Sequence, residues 1–147
     1  MKKGDIKLVN LDDSHYELIL KIWRDADLPV CEVWRDSKLE LERQLKSGNV
    51  VVYGAKVEDR VVGVVLNSDD SRKGWINHLA VIPEYRKQGI ASFLIAESEK
   101  YFKNKGIKII AALIEGHNNS SLNLFEKIGY IEFKGVKYVT KRESPKV

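Results

Sequence analysis

The stretch from Trp75 to Lys105 constrains this chain more than any other. An apolar strand, Trp75 to Val81, stops before Pro83 and is followed by Arg86-Lys87-Gln88-Gly89-Ile90-Ala91. A helix then runs from Ile90 to Lys105, with Ile90, Phe93, Leu94, Glu97 and Tyr101 at helical spacing and Gly106 placed to end it. A strand that turns tightly into an amphipathic helix needs a sheet for that helix to pack on, so the chain reads as α/β. The turn also gathers free backbone N–H groups at the positive end of a helix dipole, a place that attracts phosphate. Gly89 and Ala91 are small enough to let an anion approach the backbone, and Arg86 and Lys87 add positive charge, Arg86 with bidentate geometry. The same six residues also suit an ordinary helix start with surface cations, and the hexapeptide alone does not separate the two.

The remaining elements are predicted around this one. Ile6 to Val9 reads as a strand, and Asp12-Asp13-Ser14 caps a helix over about His15 to Asp25 with Tyr16, Ile19, Leu20 and Trp23 on its apolar face. Ser37-Lys38-Leu39-Glu40 has the spacing of a capping box and opens a second helix through Leu41 and Leu45, stopped by Gly48. Val50–Lys56 and Arg60–Leu66 form a hairpin around Val57-Glu58-Asp59, with a loop from Asn67 to Gly74. Lys108 to Ile114 is nearly all apolar, as for a strand covered on both faces. Asn118-Asn119-Ser120 caps a last helix with Leu122, Phe125 and Ile128 inward and Gly129 at its end. Tyr130–Phe133 and Val136–Thr140 then make a second hairpin around Lys134-Gly135. The expectation is a mixed sheet of about seven strands with four helices, in one domain over residues 1–147, with 142–147 as a flexible tail.

Bulk properties narrow the partners. The 147 residues carry 25 Lys and Arg against 21 Asp and Glu, a formal charge of +4 that favours an anionic ligand. The cations are spread along the chain with no basic run interleaved with aromatics, so nucleic acid is not an expected partner. No apolar run reaches the length of roughly 18 residues that spans a bilayer, and Met1-Lys2-Lys3 followed by Gly4-Asp5 lacks the apolar stretch of a signal peptide. A single Cys31 excludes an intramolecular disulfide, no Cys/His cluster has metal spacing, and a reducing cytoplasmic location is expected.

Two separated motifs carry a family resemblance. Leu79-Ala80-Val81-x-Pro83-x-Tyr85-Arg86-x-x-Gly89-x-Ala91, and later Asn118-x-x-Ser121-x-x-Leu124-Phe125-Glu126-Lys127-Ile128-Gly129-Tyr130, resemble the Gcn5-related N-acetyltransferase (GNAT) family, whose element order agrees over essentially the whole chain. The resemblance implies a GNAT fold splayed between the fourth and fifth strands, with acetyl-coenzyme A as co-substrate and no metal. It implies that the backbones of Leu79 and Val81, with Ala80 between them, bond the pantetheine arm, and that the amides of Lys87, Gln88, Gly89, Ile90 and Ala91 hold the pyrophosphate, with Arg86 adding cationic reach. Asn118 would contact pantetheine and Phe125 would pack against the coenzyme or the core. An acetyl group would pass directly to a primary amine, with a strand N–H polarising the thioester carbonyl. A sensor module that binds the coenzyme without turnover is the alternative.

The family's usual acid and base positions are occupied here by residues that cannot serve. The tyrosine position is Phe125, and the carboxylate positions in the fourth and fifth strands are Trp75 and Leu113. Asn77, Glu115 and Tyr130 are the remaining catalytic candidates, with His117 beside Glu115. Strand alternation places His78 on the face opposite Trp75, Asn77 and Leu79, as a core or interface histidine unless a bulge changes the parity. For the acceptor, Trp34, Glu32 and Trp75 are candidates, with Asp25, Asp27, Glu32 and Asp36 drawing a cationic amine that Trp34 covers. A small-molecule amine and a peptide N-terminus both fit, and the last hairpin offers an edge for a homodimer.

Overall fold

A computed structural model describes residues 5–145; Met1 to Gly4, which bear on the leader reading, and Lys146 and Val147 of the expected tail lie outside the described residues. Among the described residues there are five strands and four α-helices, and the chain divides into two compact units between Ala112 and Leu113.

The first unit contains the whole sheet, in the order β1 (Ile6–Leu11), β2 (Val50–Val57), β3 (Arg60–Asp69), β4 (Lys73–Val81) and β5 (Ile109–Ala112). The first four strands are antiparallel neighbours, whereas β4 and β5 are parallel. A parallel pair needs a crossover, and α3 (Ile90–Asn104) supplies it. The β3 and β4 strands are longer than predicted, so the loop at Asn67–Gly74 shrinks to Asp70–Arg72. Asp69 and Asp70 side chains bond the turn amides of Ser71, Arg72 and Lys73.

Two glycines set how closely α3 approaches. A Cβ on Gly63 would lie 2.9 Å from Ile90, and one on Gly74 would lie 2.6 Å from the Phe102 ring. Glycine in a strand interior here marks close helix packing. Leu94, Ile95, Ser98 and Phe102 form the buried stripe of α3, and Asn67 Nδ2 donates to Ser98 Oγ at 2.8 Å within it. Phe93, Glu97 and Tyr101, expected on that face, are only half-buried; Tyr101 meets Tyr53 edge-on at 5.9 Å.

The helices α1 (Tyr16–Asp25) and α2 (Lys38–Lys46) precede the sheet's inner hairpin. Asp12 caps a 3-10 turn, Asp13–His15, that leads into α1, whose Tyr16, Ile19, Leu20, Ile22 and Trp23 are buried. Ser37 caps α2 by accepting from Glu40 N, but the reciprocal half of the capping box is not made: the Glu40 carboxylate takes Arg43 at 2.7 Å instead. The pair Lys105–Asp69 closes the first unit at its other end. Lys105 Nζ donates to the fully buried Asp69 carboxylate at 2.5 Å and to Gly48 O at 3.3 Å.

The second unit contains α4 (Asn119–Lys127) with Asn118 as its N-cap. The predicted hairpin of Tyr130–Phe133 and Val136–Thr140 does not form strands, which corrects the count from about seven to five. The Lys134-Gly135 turn is present, but Ile131, Phe133, Val136, Tyr138 and Val139 are 70–86% exposed. A two-stranded ribbon with no covered face is at best marginally stable, so alternation alone did not produce strands. The expectation that the fifth strand is covered on both faces also fails: β5 has four residues, is the edge strand, and leaves Ile109 54% exposed.

Candidate functional site

The turn into α3 has an open helix N-terminus. Gly89 is the N-cap residue, with φ of +83°, and it supplies no side-chain cap. The first helical hydrogen bond is Phe93 N to Gly89 O at 3.0 Å, so the N–H groups of Ile90, Ala91 and Ser92 have no acceptor within the helix. A Cβ on Gly89 would meet no protein atom within 4 Å, so the space above these donors is open. Lys87 also has a left-handed φ, +61°. Arg86 Nε donates to Val81 O at 3.3 Å and Gln88 Nε2 to Glu84 O at 3.3 Å, so both side chains brace the turn. The Arg86 and Lys87 side chains are exposed.

Past Ile76, β4 loses its β5 neighbour. Pairing with β5 covers only Lys73 to Ile76. On the β3 side, Asn77 pairs with Leu66 and Ala80 with Val64, so His78 and Leu79 together face the single residue Val65. This is a β-bulge, and His78 takes a left-handed φ of +48° within it. Leu79 therefore has no register partner on either side, and Val81 pairs only with Gly63.

The bulge overturns the expected alternation. Because Leu66 and Val64 lie on one face of β3, Asn77 shares its face with Ala80, not with Leu79. Val81 shares the α3 face with Gly63. His78 turns its ring onto Trp23 of α1, with centroids 4.5 Å apart, while Trp23 Nε1 donates to His78 O at 3.0 Å. The His78 Nδ1 is buried without a partner. Burial holds the imidazole below the usual histidine range, with Asp36 opposing the shift and Arg35 adding to it. The lone sequence signal for the bulge is a residue type that tolerates positive φ, set in the interior of a strand.

The segment between α1 and α2 starts just after Trp23, the residue that meets His78. Asp36 is buried there, accepting from Cys31 N at 2.8 Å and lying 3.5 Å from Arg35 Nε. Tyr16 Oη donates to Asp36 O at 2.8 Å. The predicted acidic attraction is largely spent inside the segment: Glu32 pairs with Arg24, and Asp25 takes Lys21 at 2.7 Å. Trp34 stands 51% exposed and does not cover these acids. Trp75 is half-buried, and Asn77 Nδ2 donates to Ser68 Oγ at 3.0 Å and to Trp75 O at 3.3 Å.

In the second unit, Asn118 Oδ1 accepts from Ser121 N at 3.2 Å, so its carbonyl is occupied in capping α4. Phe125 is buried and meets Tyr130 edge-on, with centroids 4.9 Å apart. Glu115 and His117 are exposed in the preceding loop. Leu113, at one of the usual base positions, is 59% exposed.

The sequence profile of the acetyltransferase (GNAT) family matches residues 13–130. The chain is 30% identical over 126 residues to acetyltransferase SG1711 of Sodalis glossinidius, covering 86% of each chain. It is 29% identical over 126 residues to acetyltransferase ECA0875 of Pectobacterium atrosepticum, again with 86% of each chain. Among solved structures, an AAC(6')-Iy complex with a bisubstrate analogue, CoA-S-monomethyl-acetylneamine, is similar with a TM-score of 0.74 and 22% identity, over 95% of this chain and 99% of that one. The PaiA N-acetyltransferase of Thermoplasma acidophilum, in complex with coenzyme A, is similar with a TM-score of 0.74 and 21% identity, over 85% and 89%. With the family profile matched over residues 13–130 and a curated acetyltransferase 30% identical over 86% of the chain, the chain belongs to the GNAT family of acetyltransferases.

Proposed function

We infer that this acetyltransferase takes its acetyl group from acetyl-coenzyme A and passes it directly to the primary amine of a small acceptor. The observation that carries the reading is the open, uncapped start of α3 at Gly89, directly after a β4 segment that has lost its β5 neighbour. The amides of Lys87 to Ala91 suit a pyrophosphate, and the unpaired backbone at Leu79 suits an amide chain that binds as a substitute strand. AAC(6')-Iy and PaiA are described with coenzyme A or a coenzyme analogue, which supports the same choice.

In this reading a β4 backbone N–H near Leu79 polarises the thioester carbonyl. The acceptor nitrogen forms the new C–N bond, the C–S bond breaks, and the amine proton leaves through water while the thiolate is protonated from solvent. A thiol pKa of about 8.5 makes that leaving group tolerable without an acid. Phe125 has no proton to give, and Asn77 is an amide held by Ser68 and Trp75, so it orients rather than titrates. Rate comes from positioning. A reducing cytoplasmic setting suits the thiol product and the single Cys31.

Replacing Gly89 with Glu tests the coenzyme site. The new carboxylate enters the open space over the turn, and calorimetry should show binding of acetyl-coenzyme A abolished while circular dichroism shows a folded chain. Unchanged affinity in the folded variant would falsify the assignment.

A further inference from the structure

The segment between α1 and α2 gathers charged and aromatic side chains. Between Lys21 and Lys38 the sequence places four cations against four carboxylates. Three of those carboxylates are already matched: Glu32 by Arg24, Asp25 by Lys21, and Asp36 by Arg35 together with the Cys31 amide. Asp27 is left as a single carboxylate, in a chain whose formal charge is +4. A ligand with several ammonium groups would find one matching charge and a repelling background. The segment is also anchored, since Tyr16 Oη donates to the Asp36 carbonyl at 2.8 Å. From this anchored turn, beside the β4 bulge, Val33 and Trp34 project with 81% and 51% of their surface exposed. Large apolar side chains displayed together on a rigid turn mark a contact surface rather than random exposure.

We propose that the acceptor is a monoamine carried on an apolar or aromatic body, received by Val33 and Trp34, and that polycationic amines are poor acceptors. The inference deepens the amine-transfer reading and rests on it. It sets the chain apart from the aminoglycoside enzymes it resembles in fold, because an aminoglycoside presents several ammonium groups and this segment has used its carboxylates internally. One unmatched charge suits one ammonium, and an indole face offers both apolar contact and cation–π attraction to it.

Thiol release from acetyl-coenzyme A tests this with phenethylamine and tryptamine against spermidine and kanamycin. The expected result is a kcat/KM for the two aromatic monoamines at least about tenfold above that for either polycation, the scale on which apolar contacts discriminate. Trp34→Ala, at an exposed position that leaves the core intact, should lower the aromatic-amine kcat/KM by about tenfold with the KM for acetyl-coenzyme A unchanged, and Trp34→Phe should restore most of it. A preference for spermidine or kanamycin, or an aromatic rate indifferent to Trp34→Ala, overturns the inference and leaves amine transfer standing. No thiol release with any of the four amines, in a chain that acetyl-coenzyme A still stabilises against heat, overturns the amine-transfer reading and this inference with it.

Discussion

His78 concentrates several unusual features in one residue: a left-handed backbone, a buried imidazole with an unpartnered Nδ1, and a carbonyl held by the Trp23 indole. Its folded pKa lies below the ordinary value of 6.5 because burial penalises the charged form. The unfolded chain therefore binds a proton that the folded chain does not, in the window just below pH 6.5. Stability is full above that window and falls as pH drops through it, by at most about 1.4 kcal/mol per pH unit for one proton. Urea titrations at pH 7.5 and 5.5 should show the loss, and His78→Asn, which keeps a residue tolerant of positive φ, should flatten it. Trp23→Phe keeps a ring for the stack but leaves the His78 carbonyl without its donor, so it should destabilise the fold by about 1–3 kcal/mol in the same measurement. Alternation predicted Leu79 on the same face as Asn77, and the bulge at His78 moves it off, because one extra residue in a strand reverses every side chain beyond it.

At the scale of elements, α3 is held to the sheet by what is missing from Gly63 and Gly74. Gly74→Ala drives a methyl into the Phe102 ring, which has 0% exposure and no room to retreat. We expect a loss of about 1–3 kcal/mol in chemical denaturation. The strands and helices of the first unit were legible in the sequence to within a few residues, because their apolar spacing and capping residues act locally. The stripe of α3 was misread by part of a turn, since Phe93 and Glu97 fit helical spacing as well as Ile95 and Ser98 do. Which of them faces the sheet depends on where the two glycines let the helix sit. The last hairpin was the largest overreach: Tyr130 to Thr140 has the alternation of strands but no partner to complete them.

For the molecule as a whole, the Lys105–Asp69 pair joins the end of α3, the end of β3 and the turn at Gly48. The Asp69 hydrogen bond holds the Lys105 ammonium above the usual lysine range. Lys105→Met would leave a buried carboxylate without its cation, and we expect a loss of about 2–3 kcal/mol, below the figure for a fully enclosed pair because solvent reaches Lys105. Acetyl-coenzyme A should act in the opposite sense. At a hundred times its Kd it should stabilise the folded chain by about 2.7 kcal/mol, read as a rise in Tm that Gly89→Glu abolishes.

The sequence by itself determined the family, the order of the first unit's elements and the phosphate-like turn at Arg86–Ala91, since each rests on spacing over a few residues and on the backbone freedom of Gly89. Only the tertiary structure decided the bulge at His78, the closeness of α3 at Gly63 and Gly74, and the pairing of Arg24 with Glu32 and Lys21 with Asp25. Those features depend on which segments meet and in what register, and the composition of a single segment does not encode its neighbour. The turn was legible because its chemistry is backbone and local; the charge balance of the acceptor segment was not, because carboxylates that look free along the chain are matched in space.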